Sequence, residues 1–352
     1  MLDTTSTTTV QSLLDQSIEQ DSHKADYQAP ARQFSFDDQS RLVPAVENNL
    51  FGESVSPSPL HPTPWAWSQI FTKLGPTVFG KDKVKGLPSD YLLALRPEQR
   101  AGLLNDHLQG TSTNWLVRSF DDNARAVLSD KFTKIDNSHL LDILNKVAEG
   151  SNLPYSVTRN SSVNPDSLNI RIIWKDIQLP GGRGGYGIGT YIRNGETGNR
   201  RGGIFPLIQR HSCQNSIIVD DRTNAYEFLH LGNASSKLTL IKAAIVDILP
   251  FAAHLLDQFI KADAEQIPDF SDVISGLCKQ YGWGESVQTR IAVGTEGRDT
   301  RFGLINGITW AAHEISNPDL ESDLEIIGGS LLLAPDSVFH KAAQLAQLER
   351  RS

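Results

Sequence analysis

The sequence predicts an α+β fold: a hairpin-rich antiparallel sheet covered by a long helix, with flanking helices and a disordered N-terminal tail. Three observations carry this. Between residues 151 and 230, strand-like runs are punctuated by glycine clusters, the pattern of strands joined by turns. From Leu238 to Ile260, apolar residues recur at helical spacing around most of the circumference, which suits a helix packed across a sheet. The composition, 39% hydrophobic and 21% charged, is globular, so only the ends are expected to be loose.

The elements follow in order. Residues 1–30 are rich in Thr, Ser, Gln and Asp and poor in large apolar side chains, so burial cannot offset the entropy of ordering them; 1–55 is expected to be a mostly disordered acidic tail. Residues 56–68 form a proline-rich arm, stiff and extended from Ser56 to Pro64, that leads into Trp65 and Trp67. Such an arm can dock on its own domain or on a neighbouring subunit. The core is expected at 69–320. Ser89 or Asp90 caps a helix through Ala94, and Pro97 opens the next, through about His107. A strand is expected at Thr113–Phe120, with short apolar pieces at Arg125–Ser129 and Phe132–Ile135. Asn137 or Ser138 caps a helix over Leu140–Ala148. Strands are read at Tyr155–Thr158, Leu168–Leu179, Tyr186–Arg193 and Ile217–Asp220. The long helix is expected to kink at Pro250. Further helices are expected at Asp272–Tyr281, at Thr300–Ile315 behind an Asp299 or Thr300 cap, and at Ser337–Arg350; 321–352 is read as a C-terminal strand and helix.

Several classes are set aside. Lys242, Asp247, His254 and Asp257 interrupt the most apolar stretch, whereas a membrane span needs roughly 20 mostly uncharged residues. No basic segment leads into an apolar run at the N-terminus, so a cytoplasmic protein is expected. Two cysteines, Cys213 and Cys278, cannot build a disulfide framework and suit reduced thiols.

The net charge of −8 hides its distribution. Residues 1–60 carry 3 basic and 9 acidic side chains, whereas 151–210 carry 8 basic against 3 acidic. The basic set is Arg159, Arg171, Lys175, Arg183, Arg193, Arg200, Arg201 and Arg210, interleaved with Trp174, Tyr186 and Tyr191. A guanidinium pairs bidentately with phosphate and stacks on a base, so this surface suits single-stranded nucleic acid; the plainer reading is a solvated strand face.

Known motifs are approached and missed. Gly75–Lys81 spells seven positions of a P-loop, but Asp82 stands where a Ser or Thr should hold magnesium. Gly182-Arg183-Gly184-Gly185-Tyr186-Gly187 has dinucleotide spacing, yet a strand pattern follows where a helix N-terminus is needed. His211, Cys213 and His230 lack a partner pair that would complete a tetrahedral metal site. Asp121-Asp122 and Asp220-Asp221 are paired carboxylates able to hold magnesium, although such pairs in loops are usually solvated. No catalytic constellation emerges and no cofactor is expected.

Four segments resemble the phage/plasmid-like protein family of unknown function. Asn114–Phe120 leads to Arg125-Ala126-Val127-Leu128-Ser129-Asp130-Lys131-Phe132 and on to Ile135-Asp136-Asn137; Phe132 stands where tyrosine is usual. Tyr191–Gly198, with Asn194, Glu196 and Gly198, is similar to the second segment, Gly195 replacing a serine. Arg210–Ser216, with Cys213 and Asn215, is similar to the third, Ser216 standing for glycine. Thr300–His313, around Asn306, resembles the family's late helix. The resemblance implies residence on phages, plasmids or other mobile elements. It implies no established activity, so Arg125, Asp130, Asp136, Asn137, Asn194, Glu196, Gly198, Cys213, Asn215 and Asn306 carry no assigned role.

The first expected function is binding of single-stranded DNA, for annealing or protection. Arg183, Arg193, Arg200, Arg201 and Arg210 would track phosphates while Tyr186 or Tyr191 stacks on bases, and subunits side by side would lengthen the groove. The second is a non-enzymatic interaction protein that binds a host defence factor through DNA-like acidic surfaces. The third is a metal-dependent nuclease built on the paired aspartates.

Overall fold

The computed structural model describes residues 8–44, 47–48, 54–55, 57–78, 89–151, 154–158, 160–178, 185–211, 215–220, 225–315 and 318–351. Helix α1 (Val10–Asp21) is closed by a capping box, in which Thr9 and Ser12 exchange side-chain and backbone hydrogen bonds at 3.0 Å. It buries Val10, Leu13 and Leu14. Strand β1 (Lys24–Pro30) follows, then the short hairpins β2 (Ser35–Phe36) with β3 (Leu42–Val43) and β4 (Glu47–Asn48) with β5 (Ser54–Val55). The expected disordered tail is therefore corrected from Val10 onward. Composition averaged over thirty residues concealed three apolar side chains at helical spacing and a strand whose edge is already paired.

The proline-rich arm ends as strand β6 (His61–Pro62) and runs directly into helix α2 (Pro64–Val78). Helices α3 (Ser89–Ala94) and α4 (Pro97–Gln109), then strands β7 (Asn114–Phe120) and β8 (Asn123–Ser129), complete the first half. Its sheet has the order β1-β7-β8-β6, antiparallel except for the parallel β6–β8 pair. The arm is docked within this chain: Trp67 stacks on Phe36 and Phe71, with ring centroids 5.7 and 5.3 Å away. Ile70, Phe71, Leu74, Leu104 and Leu108 pack over Trp115, Val117 and Val127 of the sheet.

Helix α5 (Asn137–Ser151) leads to the larger sheet: β9 (Ser156–Val157), β10 (Ser162–Val163), β11 (Ser167–Gln178), β12 (Gly185–Gly195), β13 (Gly202–Arg210), β14 (Ser216–Ile218) and β15 (Tyr226–Phe228). It is antiparallel throughout, in the order β10-β11-β12-β13-β14, with β15 on β13 and β9 on β11. This is the hairpin-rich sheet the sequence predicts. Strand β13 is not among the strands the sequence suggests; it contains Gly202, Gly203 and Pro206, poor strand formers, and Pro206 is accommodated opposite Thr190.

Helix α6 (Ala234–Lys261) covers one face, and its halves, Ala234–Ile248 and Pro250–Ala264, are bent by 45° about Pro250. The first half packs Ile241, Ile245 and Ile248 with α5 onto Leu168, Ile170, Ile172, Ile192 and Ile204. The second half packs Ala252, Leu255, Leu256 and Phe259 onto Tyr186, Ile188 and Ile208. Helices α7 (Phe270–Tyr281), α8 (Glu285–Gly294), α9 (Arg301–His313), α10 (Pro318–Ser330) and α11 (Asp336–Arg351) finish the chain. Thr300 caps α9, its hydroxyl accepting from Gly303 N at 3.1 Å.

Helix α10 takes the place of the expected C-terminal strand. Its buried Leu324 and Gly328, with Leu331 just beyond its end, keep helical spacing within an apolar run too short for periodicity alone to decide. It lies on the other face of the larger sheet, where Arg171, Ile173, Tyr191, Phe205, Leu207 and Ile218 form a second buried layer with Ile326. Gly329 passes so close to β14 that a Cβ there would stand 2.1 Å from the Ile218 carbonyl oxygen. Among the described residues, no single helix is long and apolar enough to cross a membrane.

Candidate functional site

Because both faces of the larger sheet are covered, the Arg/Tyr set of its strands divides. Tyr186 is buried under α6, edge-on to Phe259 at 6.2 Å. Tyr191 has no exposed surface, donates its hydroxyl to Asn169 Oδ1 at 2.8 Å and lies 5.2 Å beneath the Arg171 guanidinium. Burial raises its phenol above the ordinary range. Neither tyrosine offers a ring face to a base, so the expected stacking role of Tyr186 and Tyr191 is corrected. The reading took one strand face as solvated; α10 covers it.

The arginines separate into two places. Arg193 donates to Glu227 Oε1 at 2.6 Å and lies over Phe205 at 4.7 Å. Arg201 Nη1 lies 3.8 Å from the other Glu227 oxygen and its side chain is 61% exposed. Arg200 reaches Asn169 Oδ1 at 3.2 Å, and Asn169 is the cross-strand partner of Arg193. These three gather beside the β12–β13 turn. Arg210 lies at the far end of the same hairpin, seven residues beyond the Arg193–Gly203 pair and so roughly 23 Å away. There it donates to Glu296 at 2.7 Å and Asn306 at 3.2 Å. Arg183 lies outside the described residues.

A groove of about 500 Å³ adjoins the three-arginine corner, lined by Arg193, the turn Tyr281–Gly284, Val287, Leu320, Asp323, Ile326 and Ile327. Tyr281 and Trp283 stack there at 5.0 Å. Gly282, at φ +69°, ends α7 in the left-handed region, and Trp283 N then donates to Cys278 O at 2.7 Å, which fixes the turn. The sequence reading missed these aromatics. A lone Tyr-Gly-Trp-Gly after a helix gives no signal until the fold brings it to Arg193.

Six of the positions that carry the resemblance, Arg125, Asp136, Asn137, Asn194, Glu196 and Gly198, converge elsewhere. Glu196, wholly buried, accepts from Lys24 Nζ at 2.8 Å, Arg125 Nη1 at 2.9 Å and Asn137 N at 2.7 Å. Arg118, also buried, donates to the Glu196 carbonyl at 2.9 Å, to Asp26 at 2.9 Å and to Asp136. Asn194 donates to Asn137 Oδ1 and Ile135 O, closing the network. Burial, then the neighbouring Asp136, raises the Glu196 carboxyl; Arg125, Lys24 and Arg118 pull against this. Burial also opposes ionisation of Asp136, but Arg118 overcomes it and holds that carboxyl below its ordinary value. Gly198, at φ +72°, turns the chain against Leu128 and Phe132. Trp65 Nε1 and Gln69 Nε2 both donate to Thr197 O, at 3.0 and 3.1 Å, tying α2 to this turn. Most of these polar groups engage another of the same cluster, the arrangement of a structural clasp between the two sheets, although Arg125 Nε and Nη2 and Asn194 Oδ1 are buried without a hydrogen-bond partner. Lys24, Asp26 and Arg118 escaped the sequence reading because the first two lay in the supposed tail.

Asn215 donates to Asn306 at 3.5 Å and Asn306 to Gly294 O at 2.6 Å, so these two positions join β14 to α8 and α9. Asp130 is exposed and accepts from Asn114 at 3.0 Å. Cys213 lies outside the described residues. Asp121 sits at positive φ in the β7–β8 turn beside His23, 2.7 Å away. Asp221, the loop Gly182–Gly184 and residues 79–82 of the P-loop-like run lie outside the described residues. His230 stacks flat on Phe132 at 4.7 Å, and burial lowers its pKa. Among the described residues, no group of three His, Cys, Asp or Glu side chains is placed to hold a metal ion.

Compared with protein-family models, with curated proteins and with solved structures, the chain matches none.

Proposed function

We propose that this protein binds single-stranded DNA in the cytoplasm, and that Arg193, Arg200 and Arg201 hold its phosphates for protection or annealing. The observation that carries the reading is the gathering of these three guanidinium groups beside one turn, where Arg193 and Arg201 share the carboxylate of Glu227. Guanidinium forks pair bidentately with phosphate oxygens, so a phosphate entering this corner can be met by several donors at once. The buried tyrosines take no part. Residence on a mobile element is part of the proposal and rests on the four resembling segments; assembly of subunits side by side would join one corner to the next.

Fluorescence anisotropy of labelled single-stranded and duplex DNA, titrated through salt, tests this. Tight binding that prefers the single strand is expected, with a log-log salt slope of about −0.7 for each phosphate held. Replacing Arg200 and Arg201 together by alanine should weaken binding to all sequences alike and reduce the slope by about 1.4. Unchanged affinity and slope in that variant would remove this corner from the reading.

A further inference from the structure

The groove beside the arginine corner exposes the outer sides of residues that otherwise pack on the core, Trp283 and Val287 against the α6 and α9 cluster and Ile326 against the Tyr191 layer. Its walls are apolar, formed by Val287, Leu320, Ile326 and Ile327, and its volume of about 500 Å³ lies within the range of small-molecule clefts. Tyr281 is 40% exposed and Leu320 37% exposed at its mouth, large apolar surface left uncovered. A Cβ added at Gly282 or Gly284 would meet nothing within 4 Å, so the space over the aromatic turn is open. The turn itself is held by the glycine cap of α7 and the Trp283 N to Cys278 O bond, and the indole packs on Tyr281 and the core cluster. Arg193 belongs to both places: it lines the groove and it joins the guanidinium corner through Glu227.

We infer that this groove is a nucleobase pocket, in which one base of a bound strand packs against the Tyr281–Trp283 pair while Arg193 holds the adjoining phosphate. Every base has a π-face, so stacking on fixed aromatics is sequence-tolerant, which suits a strand held through its backbone. The pocket supplies the stacking surface that the buried Tyr186 and Tyr191 cannot.

The inference rests on the strand-binding reading, and the test separates the two. Binding of an ordinary single-stranded oligonucleotide is compared with that of an abasic strand of equal length and charge, for the wild-type protein, Trp283→Ala and Trp283→Phe. The wild type should prefer the base-bearing strand by about fivefold or more, Trp283→Ala should lose that preference, and Trp283→Phe should keep most of it. An oligonucleotide carrying 2-aminopurine should also lose fluorescence on binding the wild-type protein, a readout that needs no variant to fold. Equal binding of both strands by the wild type, or a base preference that survives Trp283→Ala, would overturn the pocket and leave the arginine corner standing. If neither strand binds, the corner fails, and the pocket with it.

Discussion

At the scale of single residues, the molecule spends its buried charges on one another. Glu196 serves Lys24, Arg125 and the backbone of Asn137 at once; among the described residues, truncating it leaves Lys24 to Asp21 at 2.6 Å but leaves buried Arg125 with only the carboxylate of Asp166, 3.7 Å away. Glu196→Ala is expected to cost about 3–5 kcal/mol, read from urea unfolding. A cost under about 1 kcal/mol would mean that water reaches this clasp. Arg171 and Glu325, paired at 2.5 Å beneath α10, make a different case. Burial pushes the Glu325 carboxyl up to about 7, Arg171 pulling the other way. A folded value above the ordinary 4.5 means that the folded state keeps a proton that the unfolded chain has released. The stability this contributes is complete below about pH 4.5 and is lost as pH rises through about 7, at most about 3 kcal/mol. Relative to Glu325→Gln, wild-type stability should therefore fall between pH 5 and 8; parallel stability curves for the two proteins would show the carboxyl ionised throughout.

At the scale of elements, what could be read from the sequence was what local chemistry announces. The Thr300 cap, the Pro97 helix start, the strand before Asp121 and the long helix with its Pro250 bend all carry their signal within a few residues. Thr300→Ala should lower the melting temperature through loss of the Gly303 hydrogen bond, about 1 kcal/mol of helix stability. Elements specified by contact with another element were not legible. Strand β13, with two glycines and a proline, carries no strand signal of its own and is specified by β12 and β14 on either side. Helix α10 reads as a strand until Gly329 is seen against β14. The same close approach joins α7 and α11, where a Cβ on Gly276 would stand 1.8 Å from the Ala342 carbonyl oxygen. Gly276→Ala is thus expected to part these helices and cost about 1–3 kcal/mol in thermal unfolding; a neutral substitution would show that the pair slides freely.

At the scale of the whole molecule, the candidate site was half legible. The basic bias of residues 151–210 pointed to Arg193, Arg200 and Arg201, but it could not say that a helix more than a hundred residues later would cover Tyr191. Nor could it say that the α7–α8 turn would bring Trp283 alongside. The order of these contacts along the chain has a consequence in time. Tyr27 pairs with Val117, and Arg171 finds its carboxylate 154 residues downstream. At roughly 5–20 residues per second of synthesis, β1 waits about 5–20 s on the ribosome for its neighbour, and Arg171 about 8–30 s for Glu325. During that interval the Tyr191–Phe205 face is open, so a nascent chain displays to chaperones, and to any nucleic acid nearby, a surface that the finished protein never shows.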